Sequence, residues 1–319
     1  MFLKRFAAIW LSLMLGIIML SGCEQPVSNG RAGIVCTIFP IYDWTRQILG
    51  DNSGDLELTL LLKNNVDLHS YQPTFDDISI ISECDLLIYV GGESDRWVEA
   101  ALKEVSNKDM VVINLLEELG NVAKEEEIKE GMDAEDEENE AAYDEHIWLS
   151  LRNAKILCSA IAGALSSLDP GNAGNYKENL FAYTEKLESL DAEYKAATDS
   201  ASVRTLLFCD RFPFRYLVDD YDLDYYAAFA GCSAETEVGM ETIVFLTEKV
   251  NELDLNNILV TESSNKALAE TIIRESKGSA RQILVLDAMQ SVTSTDVENG
   301  VTYLSIMESN LNVLREALS

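Results

Sequence analysis

Short apolar, β-branched runs alternate along this chain with longer segments whose apolar positions recur every three or four residues. The short runs fall at 34–42, 56–62, 84–90 and 111–116, and again at 204–209, 225–230, 257–261 and 282–286. Helical spacing lies between them, as at 74–82, 149–165, 240–253 and 266–275. Strand–helix alternation predicts mostly parallel sheets wrapped by helices. Four strands in each half predict an α/β protein of two small lobes, over 33–171 and 201–319. Between them, at 172–200, Tyr176, Leu180, Tyr183, Leu187, Leu190 and Tyr194 alternate spacings of four and three, one face of a single helix. Pro170 and Gly171 precede it. Roughly 27 helical residues span about 40 Å, enough to join two lobes. As the only crossing, such a stiff helix implies limited closure on a ligand. Leu304, Met307, Leu311, Leu314 and Leu318 repeat the pattern, so a docked helix is expected at 304–318.

The first 32 residues do not share this pattern. Lys4 and Arg5 lead into an uncharged apolar run ending in Leu20-Ser21-Gly22-Cys23. A basic start, a short apolar core and small residues at the cut predict a secretory leader over 1–22. The ending resembles the lipobox of bacterial lipoproteins, which implies that Cys23 is acylated and residues 23–32 are a tether. The expected location is the outer face of the cell membrane, held by lipid. The net charge is −31, and losing Lys4 and Arg5 with the leader makes it −33. That excludes nucleic acid and favours cations as partners. Residues 124–145 hold twelve acids against two lysines. So dense a run predicts a mobile, solvated loop that gathers cations weakly. Cys36, Cys84, Cys158, Cys209 and Cys232 form no Cys-x-x-Cys pair, and several lie in apolar runs as packed thiols.

The only two histidines both stand in acidic surroundings, in Asp67-Leu68-His69-Ser70-Tyr71-Gln72-Pro73 and in Asp144-Glu145-His146-Ile147-Trp148-Leu149. Imidazole is the commonest ligand for first-row metals, which points to a metal site. Open parallel sheets bind ligands beyond the carboxyl ends of their strands. That rule selects Asp210, Glu262 and Asp287, each directly after an apolar run; the alternative is that such acids cap the following helices. Two histidines from one half and two carboxylates from the other make a set suited to zinc or manganese.

With these residues in view, the chain resembles the substrate-binding lipoproteins of bacterial zinc/manganese ABC importers, the metal-receptor type of the periplasmic solute-binding protein family 9. The resemblance covers most of the mature chain. Its pattern around the first ligand is His-Ser-Tyr-x-Pro, matched by His69-Ser70-Tyr71-Gln72-Pro73. The second lies in Asp-x-His-x-Trp-Leu, matched at 144–149. The third precedes an aromatic-x-Tyr pair, here Phe214-Arg215-Tyr216, and the fourth follows the last strand at Asp287. The resemblance implies two lobes on one long helix, a divalent cation as cargo (zinc favoured, manganese open), and no enzyme activity. It also implies a monomer whose partners are a permease and its ATPase.

The resemblance fails at one place. The family's third ligand, His or Glu, stands three residues before the aromatic, where this chain has Arg211. A guanidinium cannot bind a cation. Neighbouring Asp210 is the expected replacement, with neutralisation by Arg211 or Arg215 as its competing role. Glu262 is a carboxylate behind the ligands or a substitute for Asp210. Metallohydrolase chemistry finds no His-Glu-x-x-His helix, no Gly-x-Ser-x-Gly elbow and no phosphate loop. A surface adhesin with a structural metal remains an alternative.

Overall fold

The structure is a computed structural model that describes residues 32–52, 56–63, 66–133, 142–233, 238–278 and 281–319. The leader, Cys23 and nearly all of the 23–32 tether lie outside the described residues.

Among the described residues, eight strands form two four-stranded sheets, parallel throughout. β1 (Ala32–Cys36), β2 (Leu56–Leu60), β3 (Leu86–Tyr89) and β4 (Val111–Asn114) pair in the order β2-β1-β3-β4. β5 (Thr205–Phe212), β6 (Asp224–Ala230), β7 (Asn257–Thr261) and β8 (Gln282–Leu286) pair in the order β6-β5-β7-β8. Inner strands covered on both faces are mostly apolar, and all five residues of β7 are buried, with the polar Asn257 and Thr261 only at its ends. In each sheet the order reverses beside the first strand, which opens a crevice at the strands' carboxyl ends.

Several apolar runs straddle a strand and a helix, which periodicity cannot separate. The 34–42 run stops as a strand at Cys36 and continues into helix Phe39–Leu49, whose first turn holds Pro40, where a missing N–H costs nothing. The 111–116 run breaks at Asn114, whose side chain accepts from the Glu117 N–H and caps helix Leu115–Leu119. The 204–209 run extends to Phe212 through a bulge. Phe208 pairs with Ala227 and Arg211 with Phe229, so β5 carries one extra residue between them. Asp210 therefore lies inside a strand at the bulge, and not at a strand end.

Helix Ala173–Asp199 has 27 residues and buries Tyr176, Tyr183, Leu187, Leu190 and Tyr194. It packs on helices Phe39–Leu49, Leu151–Leu168 and Tyr303–Ala317. The Asn179 amide donates to Ile48 O (2.9 Å), and the Tyr194 hydroxyl donates to Met307 O (2.7 Å).

It is not the only tie between the sheets. Helix Tyr303–Ala317 packs against β8 and β7, and its first residue also reaches the first lobe. The Tyr303 N–H donates to Asp43 Oδ2 (2.9 Å) and its ring meets Trp44 edge-on. The acidic run supplies another tie. Its flanks pair at the neck, with Glu126 N donating to Ala142 O and Asp144 N to Lys124 O. Asp133 N then donates to Ala228 O (2.8 Å), adding a bridge to the edge strand β6. Lys129 pairs with Asp224 and lies over the Tyr225 ring, whose hydroxyl donates to Glu127. The expectation of a mobile, solvated loop is thus corrected for 124–133 and 142–145. Dense carboxylates pack here because backbone N–H groups, a tyrosine hydroxyl and the Arg215 guanidinium of the second lobe meet them. Residues 134–141 lie outside the described residues.

The Tyr303 hydroxyl donates to Trp148 O (2.7 Å), and the Trp148 indole donates to Ala288 O (2.9 Å), all in fully buried surroundings. Tyr303→Phe would strand the Trp148 carbonyl. The expected loss is about 1–2 kcal/mol of unfolding free energy by urea denaturation. An unchanged midpoint would show that this hydrogen bond contributes nothing net.

Candidate metal centre

His69 and Cys232 follow the carboxyl ends of strands β2 and β6, and the acidic run brings His146 to them. His69 lies in the turn after β2. Asp67 caps this turn by accepting from the His69 N–H (3.0 Å). His146 follows the neck of the acidic run, held by Asp144 Oδ1, which accepts from its backbone N–H (2.8 Å). Asp144, Glu145 and His146 are all buried.

The imidazoles meet edge to edge, with Nε2 of His69 and Nε2 of His146 3.2 Å apart. Their far nitrogens have fixed partners. His146 Nδ1 lies 3.0 Å from Asp144 Oδ1, an acceptor only, so Nδ1 carries the proton and Nε2 keeps its lone pair. His69 Nδ1 lies 2.8 Å from Ser94 Oγ and 3.5 Å from Glu145 Oε2. That carboxylate oxygen is buried and has no hydrogen-bond partner. The Ser94 hydroxyl can donate or accept; it is the Glu145 oxygen that favours the same tautomer in His69, with Nδ1–H toward oxygen and Nε2 bare. Burial first, and then His146, push the His69 imidazole down to about 3, so it is neutral at ordinary pH. The Gln290 amide nitrogen lies 3.0 Å from His146 Nε2 and 3.4 Å from His69 Nε2, donating to the same two lone pairs.

The acids behind the pair are positioned by backbone. Glu145 Oε1 accepts from the Ser94 N–H (2.8 Å), and burial raises its carboxyl above the usual range. Gly92, at φ +82, lets Glu145 in, because a Cβ there would overlap the carboxylate. Asp95 Oδ2 accepts from the N–H groups of Val90 and Gly91, yet burial lifts it to about 7.

The second lobe contributes Cys232, just beyond β6. Its sulfur and one nitrogen of each histidine all lie within 4.8 Å of one another. It is the only such group of three among the described residues. Its N–H donates to Glu126 Oε1 (2.6 Å). Burial, then Asp144, Glu126 and Glu145, push the thiol well above its ordinary value. The sequence offered no local signal for it, since Cys232 belongs to no motif and only the end of β6 brings it to the histidines.

The expected carboxylates stand elsewhere. Asp210 Oδ2 accepts from the Thr261 hydroxyl (2.7 Å) and Oδ1 from the Arg211 N–H (2.9 Å), so its carboxylate is engaged within its own sheet. Arg211 does not neutralise it. The guanidinium donates across the cleft to Asp67 Oδ2 (2.7 Å). Arg215 pairs with Glu127 and Asp219. Glu262 accepts from the N–H groups of Ala288 (2.8 Å) and Gln290 (2.9 Å) and so shapes the loop after β8. Asp287 begins that loop. Its Oδ1 accepts from Met289 N (2.7 Å), while Asn310 grips its backbone on both sides. Burial, then Glu262, raise the Asp287 carboxyl to about 7. Neither Asp210 nor Asp287 is in the three-residue group with the histidines. A water-accessible cleft of about 660 Å³, lined by Asp67, His69, Asp210 and Arg211, opens beside the pair.

The donor set fits a borderline cation. Four-coordinate zinc at about 2.0–2.1 Å from nitrogen sets neighbouring nitrogens about 3.3 Å apart, and the two Nε2 atoms already hold that separation.

Comparison with known proteins agrees with this fold. The profile of the family described as zinc-uptake complex component A, periplasmic (ZnuA), matches residues 34–317. The chain is 28% identical over 314 residues to the zinc-binding lipoprotein AdcA of Streptococcus pneumoniae, covering 98% of this chain and 61% of that protein. It is 27% identical over 308 residues to the high-affinity zinc uptake system protein ZnuA of Bacillus subtilis, covering 94% of each. The crystal structure of the Zn(II)-bound ZnuA-like domain of S. pneumoniae AdcA superposes with a TM-score of 0.71, over 91% of this chain and 99% of that domain, at 28% identity. The chain thus spans about three-fifths of the length of AdcA and nearly all of the Bacillus protein. By this family match and the paired histidines at the mouth of two parallel sheets, the chain belongs to the ZnuA family of periplasmic zinc-uptake components.

Proposed function

We propose that this protein captures a divalent cation, zinc in preference to manganese, outside the cytoplasm and hands it to an ABC importer. One observation carries the reading: a buried imidazole and one at the edge of the cleft, each with an oxygen partner on Nδ1, turn their Nε2 lone pairs to one point at a tetrahedral-edge distance. The names of the relatives support zinc as cargo and import as the task. In this reading the permease and its ATPase are the partners, no reaction is catalysed, and Cys23 carries the lipid that holds the protein to the membrane. No described helix is long and apolar enough to cross a membrane. Asp287 supplies an oxygen ligand from the second lobe, supported by its place at the head of the loop whose Gln290 reaches both histidines. Asp210 is the weaker candidate, since Thr261 and Arg211 already hold it.

His69→Ala and His146→Ala should each weaken zinc binding by at least about a hundredfold, as for lost ligands rather than lost packing. Competition against a chelating dye measures this. Near-native zinc affinity in either folded variant would contradict the site.

A pH series tests the environment of Asp287. Folded, it keeps its proton up to about 7, and unfolded it loses it near 3.8. Its contribution to stability is therefore full below 3.8 and is lost as pH rises to about 7. His69, depressed when folded, runs the other way over part of the same window, but cancels when wild type is compared with Asp287→Asn. With chelator present, the variant should gain on wild type by on the order of 2–4 kcal/mol between pH 4 and 7, by urea unfolding. A pH-independent difference would contradict the assignment.

A further inference from the structure

We infer that Cys232 is a metal ligand and that its thiolate, in place of the oxygen or nitrogen ligand expected near Arg211, biases the site toward zinc and against manganese. The inference rests on the receptor reading above and specifies its third ligand.

Four observations lead there. Cys232 is the one acid, thiol or imidazole that joins both histidines within 4.8 Å among the described residues. The chain is built to bring it in. A Cβ on Gly231 would stand 2.8 Å from Phe212 O and 3.2 Å from the His146 ring, so only glycine lets the end of β6 come this close to the imidazole. Glu126 then fixes Cys232 through its backbone N–H (2.6 Å), and its carboxylate also meets the thiol, which lies against the Glu145 backbone beside His146. The four other described thiols are buried in the sheets and helices, Cys36, Cys84, Cys158 and Cys209, whereas Cys232 is partly exposed.

The residues that sequence reasoning offered for this position are engaged elsewhere. Arg211 reaches across to Asp67, and Asp210 is held by Thr261. A tetrahedral set of two imidazoles, one thiolate and one carboxylate is ordinary for zinc. Thiolate selects zinc and other soft or borderline cations, whereas manganese, magnesium and calcium favour oxygen. On binding, the S–H bond breaks, the proton passes to solvent and a sulfur lone pair forms the bond to the cation. No oxidant or reductant takes part, and binding releases one proton from this residue.

Cobalt(II) is the probe, because it takes zinc sites and reports bound sulfur by thiolate-to-metal charge transfer in the near ultraviolet. The full chain is titrated with cobalt under reducing conditions and then back-titrated with zinc. The wild type should show the charge-transfer band, and zinc should abolish it. Cys232→Ser and Cys232→Ala should lose the band, while Cys209→Ser, altered in a core thiol, should keep it. Zinc affinity should fall about ten- to a hundredfold in both Cys232 variants and manganese affinity far less, so the preference for zinc narrows. Circular dichroism confirms folding, and the two Cys232 variants guard against one that fails to fold. Tight cobalt or zinc binding by the wild type without the band, or a band that survives in Cys232→Ala, would overturn the thiolate assignment and leave the receptor reading standing. Failure of the wild type to bind any of the three cations would overturn the receptor reading itself.

Discussion

Two imidazole nitrogens facing each other across 3.2 Å, one on the buried ring of His146 and one on His69 at the edge of the cleft, are the constraint around which this protein is arranged. Left alone, two lone pairs so placed repel. They stay because each ring is gripped from behind, by Asp144 in one case and by Ser94 with Glu145 nearby in the other. Burial then keeps His69 from relieving the repulsion by taking a proton. What remains is an electron-rich point that a donor or a cation can satisfy, and the Gln290 amide donates to it.

The rest of the fold serves to bring that point between two lobes. Parallel sheets put the carboxyl ends of their strands on one side, so loops after β2, β3, β6, β7 and β8 converge there. Asp144, Glu145, Glu126 and Asp95 collect around the pair, each held by backbone N–H groups and none by Lys or Arg. Burying so many carboxyl groups without side-chain cations is costly, as the raised values of Glu145, Glu126 and Asp95 register. A divalent ion bound at the histidines would offset that cost in both directions: it would stabilise the acids, and the acids would deepen its well. The lobes, meanwhile, are tied by more than the long helix. Trp148 to Ala288, Arg211 to Asp67 and the docked acidic run all cross between them, so any closing motion must shear these contacts as well as bend a helix.

How much of this was legible in the sequence depends on how local each signal is. The strands and helices follow from periodicity, a property of a few consecutive residues, and the histidine pair from two compact motifs. The inter-lobe helix follows from six apolar positions in strict spacing. The strand-end placement of Asp210 failed because a bulge leaves no mark in a run of apolar residues, so the strand's true end at Phe212 was hidden. The acidic run misled because net charge does not reveal which carboxylates meet a backbone N–H from another lobe. Cys232 was out of reach for the same reason, being brought to the histidines only by the path of β6. In hindsight, Gly231 beside a cysteine at a strand's end was the one available hint.

Diffraction from zinc-soaked crystals, recorded on either side of the zinc absorption edge, tests the central claim most directly. The account predicts one strong anomalous peak within bonding distance of both His69 Nε2 and His146 Nε2, about 2.0–2.1 Å from each, with the Gln290 amide displaced. A dominant peak in the acidic run, or bonded to only one of the two histidines, would contradict it.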